Sequence, residues 1–361
     1  MRVKIFEVVA DSALGGAPKH VLILSKGLDK KKFEPVIVCP SGWLEKQCKD
    51  SKLEVKNINF RGLLDSRSIK KLRRLIKNEN PDVVHLHGIR AGWLGTLACL
   101  GLDKKVVYTE HLYTLNYHLK SKAREIAQIF GLFFINLFAT MVIAPSSAVK
   151  KFLVNKIWVR PAKIKVIVNG LDDFKVKKVS SEETKIGFIG SLNHQKGVQE
   201  LIKAMYELSL DFPELELEIV GDGPLRKNLE KQSEPFKKQI KFVGPKEDIK
   251  SFLETWSLIV VPSISESFGQ VAVEAGIASL PVVATAVGGL PEVIIDDGNG
   301  ILVKPADNND LVNSISYLLH NPKEAERMGK NGRKIYEKFF TSDKMVAKIE
   351  KAYSDLIGKK E

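Results

Sequence analysis

The chain is 361 residues long, 44% hydrophobic and 27% charged, which is the composition of a folded protein and the usual length of two domains. No long stretch is rich in Pro, Gly or Ser, so we expect no disordered tail. The three cysteines, Cys39, Cys48 and Cys99, are odd in number and lack CxxC spacing. This argues against a disulfide framework and a thiolate zinc site, and it favours a reducing compartment.

The net charge of +13 is distributed unevenly. Residues 1–170 hold 30 Lys and Arg against 13 Asp and Glu, a net charge of +17, whereas residues 171–361 hold 26 against 30, a net charge of −4. Such asymmetry indicates an anionic partner for the first half. In the densest basic stretch, residues 61–80, Lys70, Arg74 and Lys77 share one face of a predicted helix. Nucleic acid is not expected, because interleaved aromatic residues and a recognisable binding module are missing.

The first residues, MRVKIFEVVA, predict a strand rather than a signal peptide, because Lys4 and Glu7 interrupt them. Further apolar runs predict the strands EPVIVCP, DVVHLH, KVVYTE, MVIAP and KIKVIVN in the first half, and KIGFIGS, LELEIVG, IKFVG, SLIVVPS and PVVATAV in the second. Predicted helices separate most of them, which indicates parallel sheets covered on both faces. We therefore expect two doubly wound α/β domains, 1–170 and 171–341, facing across a cleft. A C-terminal helix at about 342–358 should pack back on the first domain.

Residues 126–149 contain no charged side chain and could be mistaken for a membrane span. The segment holds Gln128, Asn136 and Thr140, and it reaches Pro145. These residues favour a buried helix to about Phe138, followed by a short strand.

In doubly wound domains, ligands bind beyond the carboxyl ends of the strands. In the first half, Gly15 and Gly16 follow the first strand, His85 and His87 end another on one shared face, and His111 follows a third. A glycine pair lets a backbone approach an anion or a sugar, but it also makes a plain turn. A zinc site at the two histidines is conceivable, yet we expect none, because no acidic residue stands nearby at ligand spacing.

The second half has the same pattern. Lys196 begins the helix after the first strand, and Gly221, Asp222 and Gly223 follow the second. The stretch PSISESFGQVAVEAG then places Glu266 and Glu274 around a strand-to-helix corner. Two acids near a helix start can also be a simple response to the helix dipole.

These motifs together resemble a family 4 retaining glycosyltransferase of the GT-B fold, over nearly the whole chain. The resemblance rests on GGAPKHV, PDVVHLHG, TEH, KVIVNGLD, GFIGSL with KG, VGDGPLR, VVPSISESFGQVAVEA, PVVATAVGGLPEVI and NGILVKPAD. Its most specific element is the E-x7-E motif from Glu266 to Glu274. The family implies a nucleotide-diphosphosugar donor on the C-terminal domain, an acceptor on the N-terminal domain, and retention of the anomeric configuration.

The resemblance also implies a role for individual residues. If the helix begins near Phe268, its free amides face the diphosphate, and Glu274 lies about 9 Å further along, level with the ribose. The expected catalytic residues are His111, Lys196 and Glu266. The expected donor-binding residues are Gly16, Ser191, Gly221, Asp222, Gly223, Phe268, Gly269 and Glu274. The expected acceptor-side residues are Gly15, His85, His87 and Arg90, the last of which could equally be a structural cap.

The sequence departs from the family at Ser191, where the common motif has an Arg on the diphosphate. Either another cation substitutes, Arg226 being a candidate, or turnover is reduced. No Asp-x-Asp motif occurs, so Lys196 is the expected counter-charge, and neither a metal nor a cofactor is expected.

The function expected from the resemblance is sugar transfer from a UDP-linked donor to a lipid-linked or otherwise anionic acceptor, in envelope polysaccharide or glycolipid synthesis. The enzyme should be cytoplasmic and peripheral, held on an anionic membrane by its basic first domain. Two alternatives stay open, a non-hydrolysing nucleotide-sugar epimerase and a non-catalytic partner subunit.

Overall fold

The computed structural model describes residues 2–112, 122–179 and 184–358. The chain divides into two compact units, Met1–Asp172 with Ser342–Glu361, and Asp173–Thr341. Each unit is built on its own parallel β-sheet with helices packed against it.

In its described part, the first unit has a seven-stranded sheet. Its strands are β1 (Val3–Val9), β2 (Phe33–Cys39), β3 (Glu54–Asn57), β4 (Val83–His87), β5 (Lys105–Thr109), β6 (Met141–Ala144) and β7 (Ile164–Val166). Its first helices are α1 (Gly16–Gly27), α2 (Trp43–Asp50), α3 (Ser66–Glu79), α4 (Gly88–Cys99), α5 (Lys122–Phe138) and α6 (Ser147–Asn155). The strand order is β3-β2-β1-β4-β5-β6-β7, so the order reverses between β1 and β4.

The second unit has a six-stranded sheet in its described residues. Its strands are β8 (Lys185–Ile189), β9 (Glu216–Val220), β10 (Ile240–Gly244), β11 (Leu258–Val261), β12 (Val282–Thr285) and β13 (Gly300–Val303). Its helices are α7 (Val198–Asp211), α8 (Arg226–Ser233), α9 (Lys250–Thr255), α10 (Gln270–Ile277), α11 (Leu290–Val293), α12 (Asn308–His320) and α13 (Pro322–Phe339). The order β10-β9-β8-β11-β12-β13 reverses between β8 and β11.

The last helix, α14 (Ser342–Ile357), belongs to the first unit. Its buried residues Met345, Ile349 and Tyr353 join a core cluster that includes Ile5 of β1 and Leu24 of α1. The end of the chain thereby contributes side chains to the interior of the unit that the beginning of the chain builds.

Both sheets follow from the strand sequences. Residues of β2, β6, β11 and β12 are almost all buried apolar side chains, as expected of strands covered on both faces. Side-chain caps fix some helix starts: Asp65 accepts from the Ser68 amide at α3, and Ser146 accepts from the Val149 amide at α6.

The predicted fold class, two doubly wound α/β units, is confirmed. Two strands were missed. In β3, EVKN carries two charged residues on an edge strand, and in β13 only the three apolar residues Ile301–Val303 follow a glycine, which is a short run.

The charge-free stretch is a helix to Phe138 followed by strand β6, as predicted. No helix in the described ranges is both long enough and apolar enough to cross a membrane. The prediction that this helix is buried is only half right, because its outer face exposes Phe130 and Leu137 among other apolar side chains.

Candidate active site

The second unit brings Lys196 and Glu266 together where its strand order reverses. Lys196 lies in the short turn after β8, and Glu266 lies in the loop after the neighbouring strand β11. Lys196 Nζ is 2.5 Å from Glu266 Oε2, with the two side chains 27% and 13% exposed. Ser263 Oγ donates to the same carboxylate oxygen at 3.4 Å. A paired, half-buried charge at the reversal point of a parallel sheet occupies the position where doubly wound folds bind ligands.

Two glycines hold the loop that carries Glu266. A Cβ on Gly288 would lie 1.7 Å from the Glu266 carbonyl oxygen, and the backbone there has a φ of +55°. The Gly289 amide donates to the same carbonyl oxygen at 3.0 Å. The segment AVGGLPE therefore fixes the E-x7-E loop, and a side chain at either glycine would displace it.

The loops after β8 and β9 interlock. A Cβ on Gly221 would lie 1.9 Å from the Gly190 carbonyl oxygen, and one on Gly223 would lie 2.5 Å from the Leu192 carbonyl oxygen. Ser191 lies between these contacts, exposed, with its hydroxyl accepting from the Asn193 amide group at 3.3 Å. The glycines predicted for donor binding thus also allow these two loops to approach each other.

Arg226, the candidate to replace the missing arginine, pairs with two carboxylates. Its Nε donates to Glu230 Oε1 at 2.8 Å, and its Nη1 lies 3.9 Å from Asp222 Oδ2. Its pairing resembles that of Lys196 with Glu266, so it does not decide between the two options that the sequence left open for Ser191.

Helix α10 begins at Gln270, later than the predicted start near Phe268. Gly269 adopts a left-handed conformation and caps the helix. The Phe268 side chain lies in the core, with its ring 5.7 Å from that of Phe340, so only its backbone can meet a ligand. Glu274 is buried, four residues after Gln270. It therefore lies about 6 Å along the helix from the helix start, whereas the predicted start at Phe268 gave about 9 Å.

In the first unit, Glu7 is the residue that sequence reasoning missed. It lies fully buried in the middle of β1, beside β4. Its Oε2 is 2.7 Å from His87 Nε2, and its Oε1 accepts from the Tyr353 hydroxyl at 2.8 Å. An acidic residue inside an apolar strand was the available signal, since buried carboxylates need partners.

The network continues from His87 to His111. His87 Nδ1 is 3.1 Å from His111 Nε2. Burial opposes ionisation of Glu7, but the adjacent imidazoles of His85 and His87 outweigh it and hold the pKa of Glu7 below its usual range. Because an ionised carboxylate can only accept, His87 carries its proton on Nε2 and accepts at Nδ1 from His111 Nε2–H. That assignment places the proton of the half-buried His111 ring on Nε2.

His85 has an internal role. Its Nδ1 is 2.6 Å from the Tyr353 hydroxyl, its Nε2 is 2.6 Å from Thr109 Oγ1, and the ring is fully buried. The two strand-end histidines do share a face, with ring centroids 4.0 Å apart. Both nitrogens of each ring have protein partners, so His85 and His87 support the site, and the predicted direct contact with an acceptor is corrected.

His20 of α1 completes a cluster of three imidazoles. One nitrogen from each of His20, His87 and His111 lies within 4.8 Å of the others, a donor set that could hold zinc. The structure also corrects the sequence argument that no acidic residue is near, because Glu7 stands behind His87. Burial and the neighbouring His87 lower the pKa of His20 to about 3, and burial and the neighbouring His85 lower that of His87 to about 4.

The glycine pair after β1 is open. Gly15 has an extended backbone, and a Cβ there would approach no atom closer than 4.0 Å. Neither packing nor backbone conformation therefore requires glycine at this position. Gly16 is the exposed first residue of α1, and Arg90 is exposed in the first turn of α4.

Comparison with known proteins covers both units. The model of Glycosyltransferase Family 4 matches residues 14–173, and the model of Glycosyl transferases group 1 matches residues 171–335. An uncharacterised glycosyltransferase of Methanocaldococcus jannaschii is 30% identical over 358 residues, which covers 95% of each chain. The chain belongs to glycosyltransferase family 4.

Other relatives of this family 4 glycosyltransferase carry more specific descriptions. The UDP-Gal:α-D-GlcNAc-diphosphoundecaprenol α-1,3-galactosyltransferase of Escherichia coli is 26% identical, over 99% of this chain and 98% of the relative. Anabaena HepE, solved in complex with UDP-glucose, superposes with a TM-score of 0.86 at 22% identity, over 98% of this chain and 100% of HepE. The structural likeness establishes the GT-B fold.

Proposed function

We propose that this family 4 glycosyltransferase moves a sugar from a UDP-linked donor to a lipid-linked or otherwise anionic acceptor, with retention and without a metal ion. The observation that carries the proposal is the Lys196–Glu266 pair at the reversal point of the second sheet. A cation and a carboxylate at that place match the two ends of a sugar diphosphate, one anionic and one rich in hydroxyl groups.

Lys196 supplies the charge that the leaving diphosphate needs. Helix α7 begins two residues after it, so the lysine and the free amides of that helix start offer positive potential at one place. Ser191 can donate one hydrogen bond but brings no charge. Arg226, paired with Asp222 and Glu230 as Lys196 is paired with Glu266, stays the candidate for the second cation that the family commonly uses.

The two motif acids divide the donor between them. Glu266 fixes the Lys196 ammonium and accepts from sugar hydroxyls. Glu274, buried on α10, accepts from the ribose hydroxyls, as acidic residues do in dinucleotide sites. No covalent nucleophile is assigned; the acceptor attacks on the face that the diphosphate leaves, and the departing phosphate takes its proton.

The first unit holds His111 through a chain of hydrogen bonds. Glu7 fixes His87, and His87 fixes the His111 ring, which we assign to the neighbourhood of the transferred sugar. Neither packing nor backbone conformation requires glycine at position 15, so a glycine there fits a position where a ligand approaches the backbone closely.

The acceptor class rests on charge and on relatives. The first unit carries the basic excess, and Lys70, Arg74 and Lys77 are exposed on α3. Arg73 is set apart from this group, because its guanidinium donates to the Ala98 and Leu100 carbonyl oxygens at the end of α4. The Escherichia coli relative is named for a diphosphoundecaprenol-linked acceptor, and a relative in Staphylococcus aureus is named for capsular polysaccharide biosynthesis. These observations support an acceptor at an anionic membrane, in polysaccharide or glycolipid synthesis.

Calorimetric titration with UDP tests the assignment of roles. Glu274→Ala should weaken UDP binding by about tenfold or more, the loss of a buried charged acceptor. Glu266→Ala should leave UDP binding intact while lowering turnover of the full donor. Lys203→Ala is the matched control, because Lys203 also pairs with a glutamate, Glu200, on an exposed face of α7. Equal losses of UDP affinity in both glutamate variants would overturn the division.

A further inference from the structure

The helix α5 is apolar on two sides. Its inner face packs Leu132 and Ile135 into the main core of the first unit. Its outer face exposes Ile126, Phe130, Phe133 and Leu137, at 68%, 62%, 41% and 58% of their surface. The spacing of four, three and four residues places these side chains in one stripe along the helix. A helix that is apolar all round usually has apolar surroundings on every side.

The stripe extends across neighbouring elements. Trp93 of α4 connects α5 with the loop before α3. Its ring lies 5.0 Å from that of Phe134 of α5, and its Nε1 donates to the Leu63 carbonyl oxygen in that loop at 2.9 Å. Leu64, in the same loop before α3, is 92% exposed. Contiguous exposed apolar surface of this kind marks an interaction site rather than ordinary surface scatter.

Basic side chains border this surface. Helix α4 packs between α3 and α5, so the three helices form one layer on the sheet. Helix α3 exposes Arg67, Lys70, Lys71 and Arg74. The outer face of α5 has no acidic residue after Glu125 at its start. An apolar stripe beside a cationic helix is the arrangement of proteins that lie in the interface of an anionic bilayer.

We infer that the α5 stripe, with Leu63 and Leu64, inserts into the headgroup region of an anionic membrane, while α3 holds the anionic headgroups. This inference rests on the proposed function, whose acceptor lies at such a surface. It adds that attachment is hydrophobic as well as electrostatic. Raising the salt concentration should therefore weaken binding to a plateau, because salt screens charges but not apolar contacts.

Vesicle sedimentation of the full chain tests the inference. Parent protein should bind vesicles of phosphatidylglycerol and phosphatidylcholine at low salt and retain measurable binding at 0.5 M salt, where the screening length is only about 4 Å. Phe130→Ser combined with Leu137→Ser should lower the partition coefficient about tenfold or more at both salt concentrations. Lys70→Gln combined with Arg74→Gln should lower it by a similar factor at low salt only.

Matched controls separate the outcomes. Leu210→Ser removes a side chain that is 83% exposed on α7 of the second unit, and it should bind vesicles like the parent. The stripe variant should also bind UDP like the parent, which separates failure at the membrane from failure of the donor site. If the stripe variant binds vesicles as well as the parent, or if it instead converts a parent dimer into a monomer, the stripe is not a membrane surface and the inference is wrong. If vesicles bind but no sugar is transferred, the proposed function fails and the inference stands.

Discussion

The hydroxyl of Tyr353 offers a measurable test of the buried network, because it contacts both the Glu7 carboxylate and the His85 imidazole. It donates to Glu7 Oε1 at 2.8 Å and meets His85 Nδ1 at 2.6 Å, with the ring fully buried. Tyr353→Phe keeps the ring and its packing near Phe33, so the space it leaves empty is no larger than one oxygen atom. Leaving a buried polar group without its partner costs about 1–3 kcal/mol.

Two groups lose a partner in this variant, but one of them has an alternative. His85 Nδ1 also lies 3.1 Å from Glu7 Oε2, so it can keep a bond to the carboxylate directly. We therefore expect a loss of about 2 kcal/mol, near the middle of the range for a single orphaned group. In a unit of this size, that lowers the melting temperature by about 4–8 °C.

Scanning calorimetry at pH 7.5 measures this shift. Tyr317→Phe is the control, because Tyr317 is 46% exposed on α12. UDP binding, assigned to the second unit, should be the same in both variants. A melting temperature for Tyr353→Phe within 1 °C of the control would refute the argument that this hydroxyl stabilises the carboxylate–histidine network.

Three further outcomes follow from the same geometry. His20 and His87 have pKa values lowered to about 3 and about 4, so unfolding takes up protons between pH 6.5 and 4. As the pH decreases through this range, the free energy of unfolding should fall by about 1.4 kcal/mol per pH unit for each histidine. Urea midpoints that stay level from pH 7 to 5 would contradict this. Sugar transfer should survive excess chelator, and the metal-independent account is wrong if a divalent ion is needed to restore it. Gly288→Ala should lower turnover tenfold or more by displacing the Glu266 loop, whereas Gly62→Ala, with no atom within 4 Å of the new carbon, should not; equal turnover in the two variants would exclude the loop argument.

Much of the fold could be predicted because it depends on local patterns. Buried parallel strands are short apolar runs, and eleven of these were recognisable in the sequence. Edge strands were not, since β3 faces solvent with charged residues and β13 starts with a glycine. The start of α10 was misplaced by two residues because Gly269 adopts a left-handed conformation, which the sequence alone does not reveal.

The part of the site in the second unit was predictable, because its residues directly follow strands that are neighbours in the sheet. Lys196 and Glu266 each follow a strand, and the strand order places β8 beside β11, which brings them together. The network of the first unit was less accessible. It joins Glu7 to Tyr353 from opposite ends of the chain, and a contact between residues 346 positions apart leaves no local signal. Without it, the histidines at the end of β4 were assigned to the acceptor rather than to the support of His111.

The exposed face of α5 could not be predicted either. A charge-free helix in a sequence is compatible with burial, with a membrane span or with an interface. Only the packing shows that one side of this helix contacts the core while Phe130 and its neighbours face outward.

The central claim is acceptor-dependent sugar transfer by the Lys196–Glu266 site, and one assay addresses it directly. Purified protein is incubated with a panel of UDP-sugars, with chelator, in the presence and absence of a lipid extract that supplies polyprenyl-diphosphate acceptors, and UDP release is followed. We expect UDP release that requires the extract, is lost in Glu266→Ala and persists in Lys203→Ala. Interconversion of UDP-sugars without any acceptor would instead identify an epimerase. If the extract supplies polyprenyl-diphosphate acceptors and no UDP is released from any donor, sugar transfer by this site is contradicted.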